Sequence, residues 1–341
     1  MGREESHAYN ERNLEWKVLD LPVNGTATVP DDDKMHSAIV FVAGSGPTDR
    51  NWCSPLLPGS NGSAKLLAEK LSEIGYITIR YDKLASGPGV RERAELFKGK
   101  LSMDTHLQEL SGAVGTLLLE FGHRINKIFV VADSEGTIHA VNYQLKEKTH
   151  KFSGLVLVSP PGRPVGAVAR DQIMHQVDQI PDAKVLMEHY DSAIETFLNG
   201  GSMKDDTVLP VQLKQFVASL YNPYNLPFSR EFWNYDLSDH LGAISDPVLV
   251  IIGKKDIQVD WRVDGDCLKN AAGEKRNFSF YFPDNANHIL KHEDREKADL
   301  DVQYVSKNYN ADGRELDGEA FDHIVRWIRD TEAGPKQELN P

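Results

Sequence analysis

The sequence predicts an α/β protein with a mostly parallel central sheet. Short apolar runs alternate with amphipathic stretches over the first half of the chain, which is typical of βαβ units. The runs are nearly uninterrupted, as expected for strands that a parallel sheet buries on both faces. After a long gap without strands, two more runs of the same kind follow. Strands are expected at 37–42, 77–81, 128–131, 155–158, 247–252 and 277–282.

Apolar residues at intervals of three and four predict helices between these strands. One such helix, along 67–74, is followed by Gly75, and glycine tolerates the left-handed conformation common after a helix. Before the first strand of the alternation, residues 14–29 contain the turn signal Asn24-Gly25 and predict an antiparallel hairpin at one edge of the sheet. Further helices are expected along Leu107, Leu110, Val114, Leu117 and Phe121, along Ile138, Val141 and Leu145, and over 316–330.

The alternation stops between residues 163 and 245, where no strong strand pattern is present. Residues 182–198 and 211–221 have helical spacing with scattered Met, Tyr and Phe. We interpret the segment 163–245 as a helical cap, or lid, inserted into the sheet domain. The sheet domain itself is then formed by residues 1–162 and 246–341.

Composition and charge exclude several classes of protein. The chain has 341 residues, of which 40% are hydrophobic, and its formal net charge is -13, which argues against a nucleic-acid partner. Cys53 and Cys267 form neither a disulfide framework nor a C-x-x-C pair. The polar N-terminus shows no signal peptide, and no apolar run approaches the roughly 18 residues that cross a bilayer. We expect a soluble, cytoplasmic protein without a membrane partner; its oligomeric state is open, with a homodimer as one option.

The stretch VVADSEGTIHA, residues 130–140, has the layout of a nucleophile elbow. A buried strand stops, Ser134 follows, and a helix begins, so the hydroxyl is presented above the carboxyl end of the sheet. Ala132 and Gly136 lie two residues to either side, and we expect such a tight turn to crowd them against each other. The alternative is that Ser134 only caps the helix.

A base and an acid follow the serine in the order that this layout requires. The run PVLVIIGKKD ends at Asp256, and the run FSFYFPDNANH leads to His288. Both residues are therefore expected at strand carboxyl ends, where open α/β sheets bind ligands. His288 would take the proton from Ser134, and Asp256 would orient the imidazole. Asp260 and Asp284 are alternatives to Asp256.

Backbone N–H groups near Ser134 are candidates for stabilising an oxyanion. One belongs to Glu135, the residue after the nucleophile, and the other to Ser45 in the loop AGSGPTDR after the first parallel strand. The alternative is that Gly-Ser-Gly binds a phosphate, but Pro47 interrupts the G-x-G-x-x-G pattern. Within this loop, an ion pair between Asp49 and Arg50 is expected as a brace.

No metal and no other cofactor is expected. His292 lies four residues after His288, but HILKH lacks the Glu of H-E-x-x-H and no third ligand is evident. His139 lies inside the helix after the elbow, where a role in packing is expected. The two cysteines have no local signature of a nucleophile.

Six segments resemble one family. FVAGSGPTDRN, RYDK, ADSEG, SPPGRP, PVLVIIGKKDIQVD and NANH resemble a bacterial branch of lid-bearing α/β-hydrolases, close to dienelactone hydrolase-like and prolyl-peptidase-like esterases. The resemblance covers roughly residues 14–330. It implies the α/β-hydrolase fold with an inserted cap, and a serine carboxylesterase that acts on small acyl esters. The implied triad is Ser134, Asp256 and His288, with Ser45 and Glu135 at the oxyanion positions.

The chain departs from this family pattern in two places. Ala132 and Asp133 stand where the family elbow usually has Gly and then His or an aromatic residue. Asp133 is expected either to raise the basicity of His288 or to contact the cap. After RYDK the family tends to continue R-G-x-G, whereas residues 84–87 read LASG, so the shape of this loop is open.

Aromatic residues in the proposed cap are candidates for an apolar acyl pocket, which would suit short or medium acyl chains. The alternative is that they pack the cap onto the sheet. Thioesterase, lactonase and peptidase activities remain open on the same site, and so does a binding protein that kept the fold. The pocket candidates are Phe216, Tyr221, Tyr224, Phe228, Phe232 and Trp233.

Overall fold

The computed structural model describes residues 8–178 and 180–334; residues 1–7, the first part of the segment judged to lack a signal peptide, lie outside this range. The described residues form one eight-stranded sheet. The strands are β1 Tyr9–Val18, β2 Leu21–Pro30, β3 His36–Val42, β4 Ile77–Tyr81, β5 Ile125–Asp133, β6 Gly154–Val158, β7 Val248–Ile251 and β8 Phe278–Tyr281. Their order in the sheet is β1-β2-β4-β3-β5-β6-β7-β8. The β1–β2 and β2–β4 pairs are antiparallel, and the other pairs are parallel.

Helices cover both faces of the sheet, because alternate residues of the parallel strands are buried on opposite sides. One apolar cluster joins Val40 and Val130 to the helices at 103–121 and 135–146, and the other joins Phe41 and Val131 to the helices at 63–73 and 318–333. The predicted α/β class with a mostly parallel sheet is confirmed. The helices are α1 Ser63–Glu73, α2 Val90–Phe97, α3 Met103–Phe121, α4 Glu135–Lys146, α5 Val165–Val177, α6 Ala183–Leu198, α7 Val211–Leu220, α8 Phe228–Trp233, α9 Ser238–Leu241, α10 Val263–Ala272, α11 Val302–Asn308 and α12 Gly318–Ala333.

The edge hairpin is present, but its turn is not where the sequence predicted it. Leu19 and Asp20 make the turn, with φ of 53° and 62°, values typical of a two-residue hairpin loop. Asn24 and Gly25 lie inside β2 instead. A Cβ at position 25 would lie 3.0 Å from the Trp16 ring, so the glycine makes room for a tryptophan and does not mark a turn.

Helices α5 to α9 lie between β6 and β7, in the segment where the sequence pattern lacks strands. They have an apolar cluster of their own, which includes Ile173, Leu186, Phe197 and Trp233. Outside residues 163–245, helices α2, α10 and α11 were not predicted. In α2, four of the eight residues are charged and only Phe97 is buried, so the apolar spacing is weak. None of the helices in the described residues is both long and apolar enough to span a bilayer.

Candidate active site

Ser134 occupies a strained turn between β5 and α4. Its φ is 50° and its ψ is -116°, and a positive φ is uncommon for any residue other than glycine. The Ser134 hydroxyl makes no cap hydrogen bond to α4. The first turn of α4 is instead closed by Thr137, whose N–H and hydroxyl donate to the Ser134 carbonyl oxygen at 3.0 Å and 2.6 Å. The side chain of Ser134 is therefore not used as a helix cap.

Gly136 allows the start of α4 to approach the end of β3. A Cβ at position 136 would lie 2.6 Å from the carbonyl oxygen of Val42 and 2.8 Å from that of Ala43, closer than real Cβ contacts. The sequence predicted crowding between Gly136 and Ala132, but the atoms nearest to such a Cβ belong to β3 and the residue after it. The predicted contact between Gly136 and Ala132 was therefore wrong, because the close contact is with the end of β3.

His288 and Asp256 form a buried hydrogen-bonded pair. Nδ1 of His288 lies 2.8 Å from Oδ2 of Asp256, and Oδ1 of Asp256 accepts the N–H groups of Gln258 and Val259 at 2.7 Å and 3.0 Å. The loops that carry the two residues are in backbone contact, because a Cβ at Gly253 would lie 1.9 Å from the Ala286 carbonyl oxygen. Both carboxylate oxygens of Asp256 are therefore held in place.

Electrostatics favour a protonated His288 at neutral pH. Burial alone would lower the pKa of His288, but the charge and hydrogen bond of Asp256, aided by the charge of Asp133, raise it to about 8. Burial raises the pKa of Asp133 to about 7, against the opposing charge of His288. Of the two roles expected for Asp133, the structure supports the effect on His288. Asp133 faces Gly44 and the loop after β3, and not the helices between β6 and β7.

Ser134 and His288 line a common cavity of about 610 Å³. The two side chains, both in the described range, are not joined by a hydrogen bond. Such bonds are often long without substrate and tighten when it binds. A carbonyl carbon placed above Ser134 would thus lie at the same cavity as His288, a base that Asp256 orients.

The two candidate oxyanion donors also lie at this cavity. Glu135 is the first residue of α4, so its N–H has no partner within the helix, and Ser45 lines the same cavity. Gly44 has to be small, since a Cβ there would lie 2.6 Å from Oδ2 of Asp133 and 3.3 Å from Cβ of Ser134. The next helix begins only at Ser63, so the Gly-Ser-Gly loop does not open a helix as a dinucleotide loop would.

A buried ion pair ties the elbow to the oxyanion loop. Nζ of Lys83 lies 2.8 Å from Oε1 of Glu135 and donates to the Gly44 carbonyl oxygen at 2.6 Å. Burial alone would raise the pKa of Glu135, but Lys83 and the hydrogen bond with His139 lower it to about 2. The sequence interpretation missed this role of Lys83, although a lysine two residues after a buried strand was a signal.

The prediction that Arg50 forms an ion pair with Asp49 is wrong. Arg50 binds Asp82, with its Nη2 atom 2.6 Å and its Nε atom 3.0 Å from Oδ2. Asp49 accepts the N–H groups of Asn51 and Cys53 instead. Asp82 follows β4, so Arg50 fixes the loop after β3 to the neighbouring strand, while Asp49 binds backbone groups within the loop.

His106, Glu135 and His139 bring their ligand-type atoms within 4.8 Å of one another, and all three are buried. Lys83 already neutralises Glu135, and Glu109 binds Nδ1 of His106 at 2.7 Å. Burial, followed by the charge of His106, lowers the pKa of His139 to about 4. The charges are balanced by protein groups, so the arrangement is that of an ion-pair network under the cavity.

Four of the six predicted pocket residues line the cavity, namely Phe216, Phe228, Phe232 and Trp233. Tyr221 and Tyr224 do not line it, which corrects the prediction. The ring of Tyr221 packs against Phe197 at 5.1 Å, and Tyr224 packs on Phe97 and binds Glu95 through its hydroxyl. Helical spacing alone does not show which side of a short helix faces a cavity.

The rival residues are engaged elsewhere. Asp260 accepts backbone N–H groups at the start of α10 and binds Lys297, and Asp284 is exposed and binds Lys254. His292 lies 2.9 Å from Asp317 and is not on a helix. Burial raises the pKa of the Cys53 thiol to about 12, which makes it a poor nucleophile.

Comparisons with known proteins agree with the fold. No protein-family model matches the chain. Esterase EstD of Thermotoga maritima is 26% identical over 312 residues, which are 91% of this chain and 66% of that protein, so the chain spans about two thirds of that relative's length. The esterase Pf2001 of Pyrococcus furiosus has a TM-score of 0.54 at 17% identity, with 94% of this chain and 92% of that chain covered. Proline iminopeptidase of Mycobacterium smegmatis has a TM-score of 0.51 at 13% identity, with 82% and 92% covered.

Proposed function

We propose that this chain, which has the α/β-hydrolase fold, is a serine carboxylesterase. The observation that carries the proposal is the 2.8 Å hydrogen bond between His288 and the buried Asp256, at a cavity that also contains Ser134 on its strained turn. A strained backbone conformation persists only where the surrounding structure holds it in place. At Ser134 it presents a hydroxyl group that makes no cap hydrogen bond to α4. The similarity to an esterase over 91% of the chain supports the same reaction class.

The geometry suits acyl transfer through a covalent intermediate. Ser134 attacks the ester carbonyl carbon while His288 accepts its proton, and Asp256 stabilises the imidazolium that forms. The N–H groups of Ser45 and Glu135 stabilise the oxyanion. His288 then protonates the leaving alcohol, and water releases the acid by the same steps in reverse.

Residues 163–245 act in this proposal as a cap over the site. Apolar side chains from α5, α7 and α8 line the cavity together with the oxyanion loop. A cavity of about 610 Å³ suits a small to medium acyl ester. We expect the activity to peak at short or medium acyl chains, and a maximum at C14 or longer would contradict this size limit.

The first experiment compares Ser134→Ala with Ser219→Ala on p-nitrophenyl esters. Ser219 lines the same cavity, but its hydroxyl is bound to the Phe216 carbonyl oxygen, so its loss should have little effect. Loss of Ser134 should lower kcat by roughly 10⁶, as removal of the nucleophile does in other serine hydrolases. Turnover by Ser134→Ala at the wild-type rate would rule out the proposal.

A fluorophosphonate probe separates an enzyme from a binding protein that kept the fold. The wild-type chain should be labelled at Ser134, and Ser134→Ala should not be labelled. An unlabelled wild-type chain would favour the binding protein. Matched thioester, lactone and peptide substrates then rank the related reactions, since one acyl-transfer site serves all of them.

A further inference from the structure

Helix α5 is hydrogen-bonded to the loop that carries Asp256. Nε2 of Gln172, in α5, donates to the carbonyl oxygen of Gln258 at 2.8 Å. Gln258 lies in the loop after β7, so the bond joins the segment between β6 and β7 to the sheet domain. Within the described residues no backbone N–H group donates to this carbonyl oxygen. The Gln172 amide is therefore the group that satisfies it.

Gln258 connects this bond to the acid of the site. Its N–H donates to Oδ1 of Asp256 at 2.7 Å, and Oδ2 of the same carboxylate lies 2.8 Å from Nδ1 of His288. A chain of three hydrogen bonds thus leads from α5 to the imidazole. Asp256 is fully buried, so the direction of its carboxylate depends on its protein partners and not on bulk water. A displacement of residue 258 moves one of these partners.

A second contact from the same segment holds the other end of this loop. Arg163, two residues before α5, binds the buried Asp264 through its Nε and Nη2 atoms at 3.0 Å and 3.1 Å. Oδ2 of Asp264 also accepts the N–H of Asp260 at 3.1 Å. The loop is therefore held at residue 260 by a carboxylate that Arg163 binds and at residue 258 by Gln172. Without Gln172, the carbonyl group at 258 would lose the partner that fixes it.

We propose that Gln172 is a positioning residue of the reaction, which holds the Asp256 carboxylate in line with His288 through the backbone of Gln258. This inference rests on the proposed function, and it gives the helices between β6 and β7 a part in the chemistry besides covering the site. Gln172 also lines the cavity that contains Ser134 and His288. A substrate in this cavity therefore packs against the residue that orients the acid.

The first test compares Gln172→Met with Gln176→Met on p-nitrophenyl esters. Methionine keeps an unbranched side chain that suits a helix but removes the amide donor. Gln176 is exposed on the same helix, so its replacement is the matched control and should leave the rate unchanged. Loss of the Gln172 hydrogen bond should lower kcat/KM about tenfold, mainly through kcat. A Gln172→Met rate within about twofold of the wild type would overturn the proposal.

The pH profile separates positioning from packing. Burial lowers the pKa of His288 and Asp256 raises it, so a looser carboxylate should move the rising limb of kcat/KM to lower pH. We expect a shift of about half a pH unit, which corresponds to a threefold change in proton affinity. A loss of packing alone would lower the rate with the limb unchanged, which would overturn the proposal. Methionine at position 172 alters none of the other charged or titratable groups around the loop and the imidazole: Asp133, Arg163, Asp171, His175, Asp260 and Lys297.

A double-mutant cycle with Asp256→Asn shows whether Gln172 acts through the acid. Coupled residues have non-additive effects, whereas independent ones have additive effects. In the Asp256→Asn chain, Gln172→Met should change kcat/KM by less than about twofold, because the carboxylate that it positions is already absent. A fall of about tenfold in both backgrounds would mean that Gln172 acts on the substrate or on the fold, and would overturn the proposal.

NMR titration of the imidazoles separates this inference from the proposed reaction. A chain with isotope-labelled histidine needs no substrate, and His288→Gln identifies the signal of His288. The signal should titrate at lower pH in Gln172→Met than in the wild type or in Gln176→Met. This shift in a chain that hydrolyses no ester would support the positioning role and refute the esterase. Equal titration in all three chains would overturn the positioning role even if the wild type hydrolyses esters.

Discussion

Replacing Asp256 by asparagine should abolish the base function of His288 without changing its packing. Oδ1 of Asp256 accepts two backbone N–H groups, so the asparagine oxygen has to take this position. The amide NH₂ then faces Nδ1 of His288, which lies 2.8 Å from the present Oδ2 atom. Nδ1 has to accept this hydrogen bond, so the proton moves to Nε2, and the imidazole no longer accepts the proton of Ser134. We expect kcat/KM to fall by about 10⁴.

The pH dependence gives the same substitution a second, independent measurement. A base must be neutral to act, so the wild-type kcat/KM should rise as the pH increases through about 8, the pKa of His288. The difference from the ordinary value of 6.5 corresponds to about 2 kcal/mol in favour of the imidazolium. Without the Asp256 carboxylate, burial lowers the pKa of His288. The residual activity of Asp256→Asn should therefore increase with pH in a range below pH 6.5.

The measurement is a pH profile of p-nitrophenyl ester hydrolysis from pH 5 to 10, with Asp284→Asn as the matched control. Asp284 is a nearby aspartate whose side chain is 69% exposed, so its loss should change neither the rate nor the profile. The reasoning is refuted if Asp256→Asn keeps more than a tenth of the wild-type kcat/KM, or if the rising limb stays near pH 8.

Two other substitutions test the supports of the elbow. Lys83→Met removes the lysine counter-charge of the buried Glu135 carboxylate, so the free energy of unfolding should fall by about 3–5 kcal/mol, and Lys83→Met with Glu135→Gln should recover most of it in urea titrations. An unchanged stability of the single variant would contradict the ion-pair brace. Gly136→Ala should cost about 1–3 kcal/mol and lower kcat because it pushes α4 from β3, whereas Gly115→Ala in α3, with open space around it, should be neutral or stabilising. Equal effects of the two alanines would show that no close approach exists at position 136.

Patterns within short stretches were enough to predict the sheet and the order of the site residues. An uninterrupted apolar run predicts a strand buried on both faces, and the strands found at β3 to β8 match the six runs. Ser134, Asp256 and His288 each follow such a run. Because the carboxyl ends of parallel strands lie at one edge of the sheet, this order alone predicts that the three residues lie close together.

Side chains that meet from distant parts of the chain were decided only by the tertiary structure. The sequence predicts a turn at Gly25, whereas in the structure this glycine makes room for the Trp16 ring. The sequence does not explain Asp133, whose carboxylate contacts the loop after β3 in the structure. Trp52, Asp133 and Asn310 line one cavity, although they belong to three segments far apart in sequence. The spacing of apolar residues within any one segment does not predict this contact. Periodicity reports which face of an element is buried, whereas burial against a particular partner depends on packing between elements far apart in sequence.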